Sequence, residues 1–249
     1  MRAANRGPAA RSGKRRGQPA GRAADLLLAC TLLLGACAPA GSEPRVNDAP
    51  PGQLRRDPAN GTVVEWKGDN LCADLEASED FRRVQQAGRP EEVALAFLDA
   101  HAPLLRLENP RQELRVRRAE RDATGHAGVR LAQVYRGIEV WAADLVVTLD
   151  PANHVVRLAG RYQPTPAGLD LQPAISAAAA RAAAEALSGR CNNCPPPLVI
   201  FFGRDAPLLA YHVDLVAGLA ARWAVFVDAR TGSVIHKTSM SPTGAIKAK

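Results

Sequence analysis

The sequence predicts an α+β fold in which two small helix-on-antiparallel-sheet domains follow each other in tandem. The first observation is the run 129–150, VRLAQVYRGIEVWAADLVVTLD, which alternates like a half-buried strand, turns at Gly137 and alternates again. The second is the order of elements, because a helical pattern followed by several strand patterns occurs twice along the chain. The third is composition, since an apolar fraction of 47% in 249 residues is enough to build a packed core.

Residues 1–36 have the pattern of a lipoprotein-type signal peptide. A basic stretch leads into the apolar run 26–36, LLLACTLLLGA, which is too short to cross a bilayer that needs about 20 residues. The run ends at Cys37 in a sequence that resembles the lipobox of bacterial lipoproteins, with the usual order of the two small residues reversed. We therefore expect lipidation of Cys37 and an exported protein that is lipid-anchored in the bacterial cell envelope. The alternative is an ordinary secretory peptide cleaved near Ala40, which would give a secreted protein.

The net charge of the whole chain, +7, comes almost entirely from this signal segment. Seven of the 32 basic residues but one of the 25 acidic residues precede position 37, so the remainder carries a net charge of about +1. Without the signal segment the chain lacks the excess of positive charge that would indicate a nucleic-acid partner, and we expect no such partner.

The first predicted domain covers residues 62–163. Residues 37–61, which precede it, contain Pro, Gly, Arg and Asp without periodicity, and this composition predicts a flexible tether. A strand is expected at 62–66. From Pro90, a proline at a first-turn position, two acids behind it and an apolar stripe predict a helix that ends near Pro103.

Four consecutive antiparallel strands are predicted after this helix. They are 114–120, the two arms of the hairpin that turns at Gly137, and 155–162. The apolar positions of the hairpin fall out of step near Tyr135 and again near Ala142 or Ala143. We therefore expect a register change or bulge at the first place and a bend at the second.

The proline-bearing segment 164–174 is interpreted as a linker to a second domain, 175–240, that repeats the plan in smaller form. Ser176 can cap an alanine-rich helix, which is expected to run to Leu187 and to be closed by Gly189. Strands are predicted at 198–202, 208–216, 222–227 and 233–237, and residues 241–249 are left as a tail.

Three cysteines follow Cys37, and export would favour a disulfide between two of them. Cys191 and Cys194 could close a small local ring and leave Cys72 free, although Cys72 could also pair with one of the two. The prolines after Cys194 cannot open the helix that a redox-active Cys-x-x-Cys needs, and one such pair is a weak zinc signal. A structural disulfide between Cys191 and Cys194 is the favoured interpretation. A free pair, or metal or redox chemistry, remains open.

Several segments, and the order of the elements, resemble the prosequence of thermolysin-like and fungalysin-like metallopeptidases. Residues 94–114, ALAFLDAHAPLLRLENPRQEL, and 133–150, QVYRGIEVWAADLVVTLD, resemble the helix and hairpin of a fungalysin/thermolysin propeptide (FTP) domain. Residues 210–215, AYHVDL, and 222–237, RWAVFVDARTGSVIHK, resemble a PepSY domain. In the hairpin, Glu139 stands where the family usually has proline.

The resemblance implies a non-catalytic module that inhibits a thermolysin-like zinc metallopeptidase, assists its folding, or both, with the catalytic domain as its partner in cis or in trans. The chain lacks the His-Glu-x-x-His motif with which such enzymes hold zinc, because its five histidines are never four residues apart. We expect no catalytic residues, no cofactor and no metal site in this sequence.

Two other functions are compatible with the sequence. The chain could be the N-terminal pro-region of a metallopeptidase precursor whose catalytic domain is missing from it. It could also be a cell-envelope binding module for a small-molecule or peptidoglycan-related ligand, because PepSY-type units occur outside protease precursors.

Overall fold

A computed structural model describes residues 51–166, 168–187, 189–203, 206–217 and 221–240. These residues belong to one compact unit that spans 48–249. The predicted signal peptide, the lipidation site Cys37 and the tail 241–249 lie outside the described residues. Within the described ranges, no helix is long and apolar enough to cross a membrane.

The described ranges contain five helices and eleven strands. The helices are α1 (Glu79–Gln86), α2 (Pro90–Ala100), α3 (Ala102–Leu105), α4 (Pro110–Glu113) and α5 (Ala177–Glu185). The strands are β1 (Gln53–Arg56), β2 (Val63–Lys67), β3 (Leu114–Arg121), β4 (Ala127–Tyr135), β5 (Ile138–Leu149), β6 (Val155–Arg161), β7 (Arg190–Cys191), β8 (Leu198–Phe202), β9 (Pro207–Ala217), β10 (Ala221–Asp228) and β11 (Val234–Ser239).

Hydrogen bonds join these strands into one mixed sheet. In the first half the strand order is β1-β2-β6-β5-β4-β3, and every pair is antiparallel. In the second half the order is β8-β9-β10-β11, with β7 also paired to β9. The halves meet where β5 and β8 pair in parallel at Glu139–Val199 and Val140–Ile200. Helices and strands are thus both present, as in an α+β fold, while the division into two tandem domains stays a prediction.

The hairpin between β4 and β5 turns at Arg136 and Gly137, where the sequence predicted it. Both residues have positive φ, 48° and 85°, which suits a two-residue hairpin turn. The pairing register of the two strands shifts between Ala132 and Val134, which confirms the predicted irregularity near Tyr135.

Strand β5 belongs to both halves of the sheet because its backbone bends at Ala142. The φ of Ala142 is 57°, in the left-handed region that residues with a Cβ rarely adopt. Before the bend β5 pairs with β8, and from Asp144 onward it pairs with β6. The second predicted bend is therefore confirmed, and it is the point at which β5 changes partners.

Helix α2 packs on one face of the first-half sheet and builds the main core. Its buried face, which includes Phe97, lies against inward-pointing strand residues such as Leu131 and Leu145. Trp66 of β2 is fully buried and its ring lies 5.3 Å from that of Phe97. Burial of each such large side chain contributes about 1.5 to 3 kcal/mol.

Helix α5 packs on the same side of the second-half sheet through small side chains. Ser176 caps the helix by accepting a hydrogen bond from the backbone N–H of Ala179, as predicted. Ala180 and Ala184 are fully buried against β9 and β10, where they form a core with Leu215. The alanines allow the helix backbone to approach the sheet closely.

Five elements were not predicted from the sequence: β1, β7, α1, α3 and α4. Strand β1 lies inside the segment assigned to a flexible tether, so that assignment was wrong for 53–56: the strand pairs with β2, and its Leu54 packs on the core. A four-residue strand with one apolar side chain carries too little periodicity to be seen. Helix α1 and the two-residue strand β7 were missed, and α5 ends at Glu185 instead of Leu187.

Candidate functional site on the open face of the sheet

The α-helices leave one face of the sheet uncovered, and we call this the open face. In the second half, alternate residues of β9 point away from α5, and they include Ala210 and His212. In the first half, Arg130 of β4 and Val146 of β5 lie opposite each other on the side away from the main core. The open face is therefore a surface of regular strands, and none of the helices in the described part of the chain lies across it.

Five ring-bearing side chains form an aromatic patch on the second-half part of the open face. They are Trp141, Phe201, His212, Phe226 and His236. Trp141 comes from β5, and its ring centroid lies 4.2 Å from that of His212 and 4.9 Å from that of Phe226. Trp141 thus packs onto strands of the other half of the sheet and remains only half-buried.

His212 is the buried titratable residue of this patch. Burial lowers its pKa from the ordinary value of 6.5, although the nearby carboxylates of Asp214 and Glu139 act in the opposite direction. Its Nε2 lies 3.0 Å from Oδ1 of Asp214, but neither buried atom makes a hydrogen bond of good geometry. The neutral imidazole is therefore the favoured form in the folded protein.

A second feature of the open face is a basic trough in the first half of the sheet. It consists of two adjoining grooves of about 580 Å³ and 790 Å³ that share Arg130 and Val146. The arginines that line it are Arg55, Arg56, Arg117, Arg118, Arg121, Arg130 and Arg161. The acids that line it are Asp57, Glu120, Asp122 and Asp144. The trough therefore has an excess of three positive charges.

Glu139 lies between the basic trough and the aromatic patch. Its carboxylate accepts a hydrogen bond of 3.0 Å from Arg115 and another from Arg117. Arg118 forms an ion pair with Glu120. All three arginines are exposed.

The structure joins the two cysteines for which the sequence favoured a disulfide. The Cα atoms of Cys191 and Cys194 are 5.9 Å apart, inside the usual range for a bridge, and the two Sγ atoms are bonded. Asn193 between them donates a hydrogen bond to the carbonyl of His212 and accepts one from the N–H of Asp214. The loop is thereby held against β9.

Cys72 is a buried free thiol on the opposite, core side of the sheet. Burial raises its pKa to about 12, so it is a thiol and not a thiolate at neutral pH. Its Sγ accepts a weak hydrogen bond from the N–H of Val155 at 3.4 Å. Across the described part of the chain, no three His, Cys, Asp or Glu side chains lie together in a way that could hold a metal ion.

Sequence reasoning did not identify the open face. The position of the open face depends on which side of each strand the helices cover. The alternation pattern of one strand does not show whether a binding partner or water covers the other side of that strand. One signal was available: β3 contains four arginines, and β4 and β6 add Arg130, Arg157 and Arg161 to strands that are mostly apolar.

Residues 112–162 match the Fungalysin/Thermolysin Propeptide Motif. The matched residues contain strands β3 to β6, and thus Arg130 and Arg161 of the basic trough and Trp141 of the aromatic patch. The predicted resemblance of the hairpin to an FTP domain is confirmed by this match.

A solved structure and several curated proteins match about three fifths of the chain. The Bacillus megaterium YpeB C-terminal domain matches with a TM-score of 0.32 and 13% sequence identity, over 60% of this chain and 63% of that chain. Thermolysins from Alicyclobacillus acidocaldarius subsp. acidocaldarius and Bacillus caldolyticus are 28% identical over 162 residues, which cover 59% of this chain. The match spans 30% of the length of these thermolysins.

Proposed function

We propose that this protein is a non-catalytic, prosequence-like module that binds a thermolysin-like zinc metallopeptidase and inhibits it, assists its folding, or both. The observation that supports this most directly is the propeptide motif at 112–162, together with the similarity to thermolysins. The partner is the catalytic domain of such a peptidase, in cis or in trans.

The open face is the surface through which we expect this binding. It combines the aromatic patch, in which Trp141 and Phe201 are half-buried, with the arginines of the basic trough. Protein interfaces commonly have this composition, because aromatic and arginine side chains provide most of the binding energy. The motif itself supplies the central strands of this face.

The proposal is tested by refolding the denatured catalytic domain of a thermolysin-like peptidase in the presence of the purified full chain. We expect a higher yield of folded enzyme than with an equal amount of serum albumin, and a complex on gel filtration. Equal yields and separate elution of the two proteins would contradict the proposal.

The site of action is the second part of the proposal. We propose that the chain is exported and held in the cell envelope by a lipid on Cys37, which follows the apolar run 26–36. Incorporation of labelled fatty acid should be lost in Cys37→Ala. Labelling that survives this substitution would contradict the anchor.

Export also supports the disulfide between Cys191 and Cys194. Mass spectrometry of the chain recovered from the envelope should show one intramolecular bridge within a peptide that contains both cysteines, with Cys72 available to alkylation after denaturation. A bridge that includes Cys72 would contradict this pairing.

The alternative, a pro-region separated from its own catalytic domain, predicts the same binding chemistry but a partner in cis. It is decided by the DNA immediately downstream of the gene. A continuing or nearby frame that encodes His-Glu-x-x-His would support the partner in cis.

A further inference from the structure

We propose that the basic trough binds an extended acidic segment of the partner protein. This inference rests on the proposed function, because it names the part of the partner that the first half of the open face recognises. Three observations support it: the two arginines at the centre of the trough, the shape of the floor between them and the length of the trough.

Most arginines of the trough are already engaged within the chain. Arg56 donates to the carbonyls of Gly61 and Leu104, and Arg121 donates to the carbonyl of Gly125 and to Asn153. The remaining engaged arginines form ion pairs with glutamates: Arg55 with Glu65, Arg117 with Glu139, and Arg118 with Glu120.

Arg130 and Arg161 differ from these, since among the described residues neither guanidinium group has a hydrogen-bonding or ion-pair partner. Both are exposed. Arg130 lies opposite Val146 and Arg161 lies opposite Asp144, so they stand on the two sides of β5. Their guanidinium groups are available to carboxylates from another molecule.

The acids of the trough offset its positive charge only in part, and two of them are engaged within their own turns. Asp57 accepts a hydrogen bond from the N–H of Ala59, and Asp122 accepts three from Thr124 and His126 within its own turn. Asp144 is the acid without such a partner in the described ranges, and it lies between the two available arginines. It should therefore weaken the binding of an anion.

The floor between the arginines is formed by small side chains. Ala142, Val146 and Gly160 line one groove and Gly128 lines the other. At Gly160 a Cβ would lie 2.1 Å from the carbonyl oxygen of Asp144, so this part of the floor cannot carry a side chain. A flat membrane surface would reach only the tips of the arginines, whereas an extended peptide can lie on the floor.

The trough runs across the strands from β1 to β3. Five inter-strand spacings give a length of about 24 Å, which an extended peptide of roughly seven residues would span. Several carboxylates of such a segment can meet the arginines along the trough at the same time. The chemistry that fits is thus an acidic polypeptide segment.

The test is the binding of fluorescein-labelled octaglutamate to the full chain, measured by fluorescence anisotropy at low ionic strength. We expect saturable binding that weakens with salt, and none with labelled octalysine. The double variant Arg130→Gln with Arg161→Gln should bind octaglutamate about ten-fold more weakly, as expected for the loss of charge-assisted hydrogen bonds. Asp144→Asn should bind it more tightly than the unsubstituted chain.

The matched control removes the same charge elsewhere, through Arg82→Gln with Arg83→Gln on the exposed side of α1. This control should change the affinity by less than about two-fold, because α1 lies across the sheet from the trough and its arginines cannot form hydrogen bonds to a peptide bound there. Equal weakening in both double variants would show a general charge effect and overturn the inference. So would binding of vesicles rich in phosphatidylglycerol without binding of octaglutamate.

The outcomes for the trough and for the proposed function are separable. If the full chain assists or inhibits the peptidase but does not bind octaglutamate, the trough inference is wrong and the proposed function stands. If it binds octaglutamate at Arg130 and Arg161 but has no effect on the peptidase, the trough inference stands and the proposed function is wrong.

Discussion

Gly160 lies in β6 where the strand passes β5 without room for a side chain. Its φ is 150°, and an added Cβ would lie 2.1 Å from the backbone oxygen of Asp144. Gly160→Ala should therefore force the two strands apart and lower the free energy of unfolding by about 2 kcal/mol or more, as measured by urea denaturation.

Gly128 is the matched control for this substitution, because it also lines the basic trough but has no atom within 4 Å of its added Cβ. Gly128→Ala should leave the stability unchanged or raise it slightly, since alanine restricts the unfolded chain. Equal losses in the two variants would contradict the close approach at Gly160.

His212 makes the stability of the folded protein depend on pH. Burial lowers its pKa below 6.5, so the unfolded chain binds a proton that the folded chain does not bind as the pH falls. The stability that the folded protein has with a neutral His212 is fully present above pH 6.5. It is lost as the pH falls from there towards the lowered pKa of His212 in the folded state.

Replacement of this histidine should flatten that dependence. Between pH 7.5 and 5, the melting temperature of His212→Asn should fall less than that of the unsubstituted protein, whereas the exposed His126→Asn should follow the unsubstituted protein. An unchanged slope in His212→Asn would show that other groups cause the loss.

At the scale of single elements, strand β5 shows how far a local pattern can be used. The turn at Gly137, the register shift in the hairpin and the bend of β5 were predictable. Each depends only on local residue types and on the alternation of apolar residues within one strand. The parallel pairing of β5 with β8 was not, since it joins segments about sixty residues apart and depends on tertiary packing.

The bend of β5 gives a prediction for two neighbouring alanines. Ala142 has a φ of 57°, which glycine adopts without the cost that a Cβ imposes, so Ala142→Gly should leave the stability unchanged or raise it by up to about 1 kcal/mol. Ala143 has no such φ and is buried, and Ala143→Gly should lower the stability by about 1 kcal/mol. The reverse order in thermal melts would contradict the bend at Ala142.

At the scale of the whole molecule, the open face of the sheet could not be predicted from the sequence. The sequence correctly indicated two of the five described helices, most of the strands and the resemblance to a propeptide. The position of Trp141 was not predictable in this way, because the packing of β5 against β9 and β10 places this ring on the open face.

Two tryptophans on opposite faces allow the open face to be tested as the binding surface. Trp141 lies on the open face, whereas Trp223 packs beside the core under α5. Both Trp→Ala variants should lose about 2 to 4 kcal/mol of stability. Trp141→Ala should in addition weaken binding to the peptidase about ten-fold or more, and Trp223→Ala should bind nearly as the unsubstituted chain. Equal binding by both variants would place the interface elsewhere.

The most direct test of the central claim is a titration of a mature thermolysin-like peptidase with the full chain, with cleavage of a short fluorogenic peptide as the readout. We predict that the peptidase activity falls as the chain is added and approaches zero near one equivalent, with the chain still intact on a denaturing gel. Full peptidase activity in the presence of an excess of intact chain would contradict an inhibitory role.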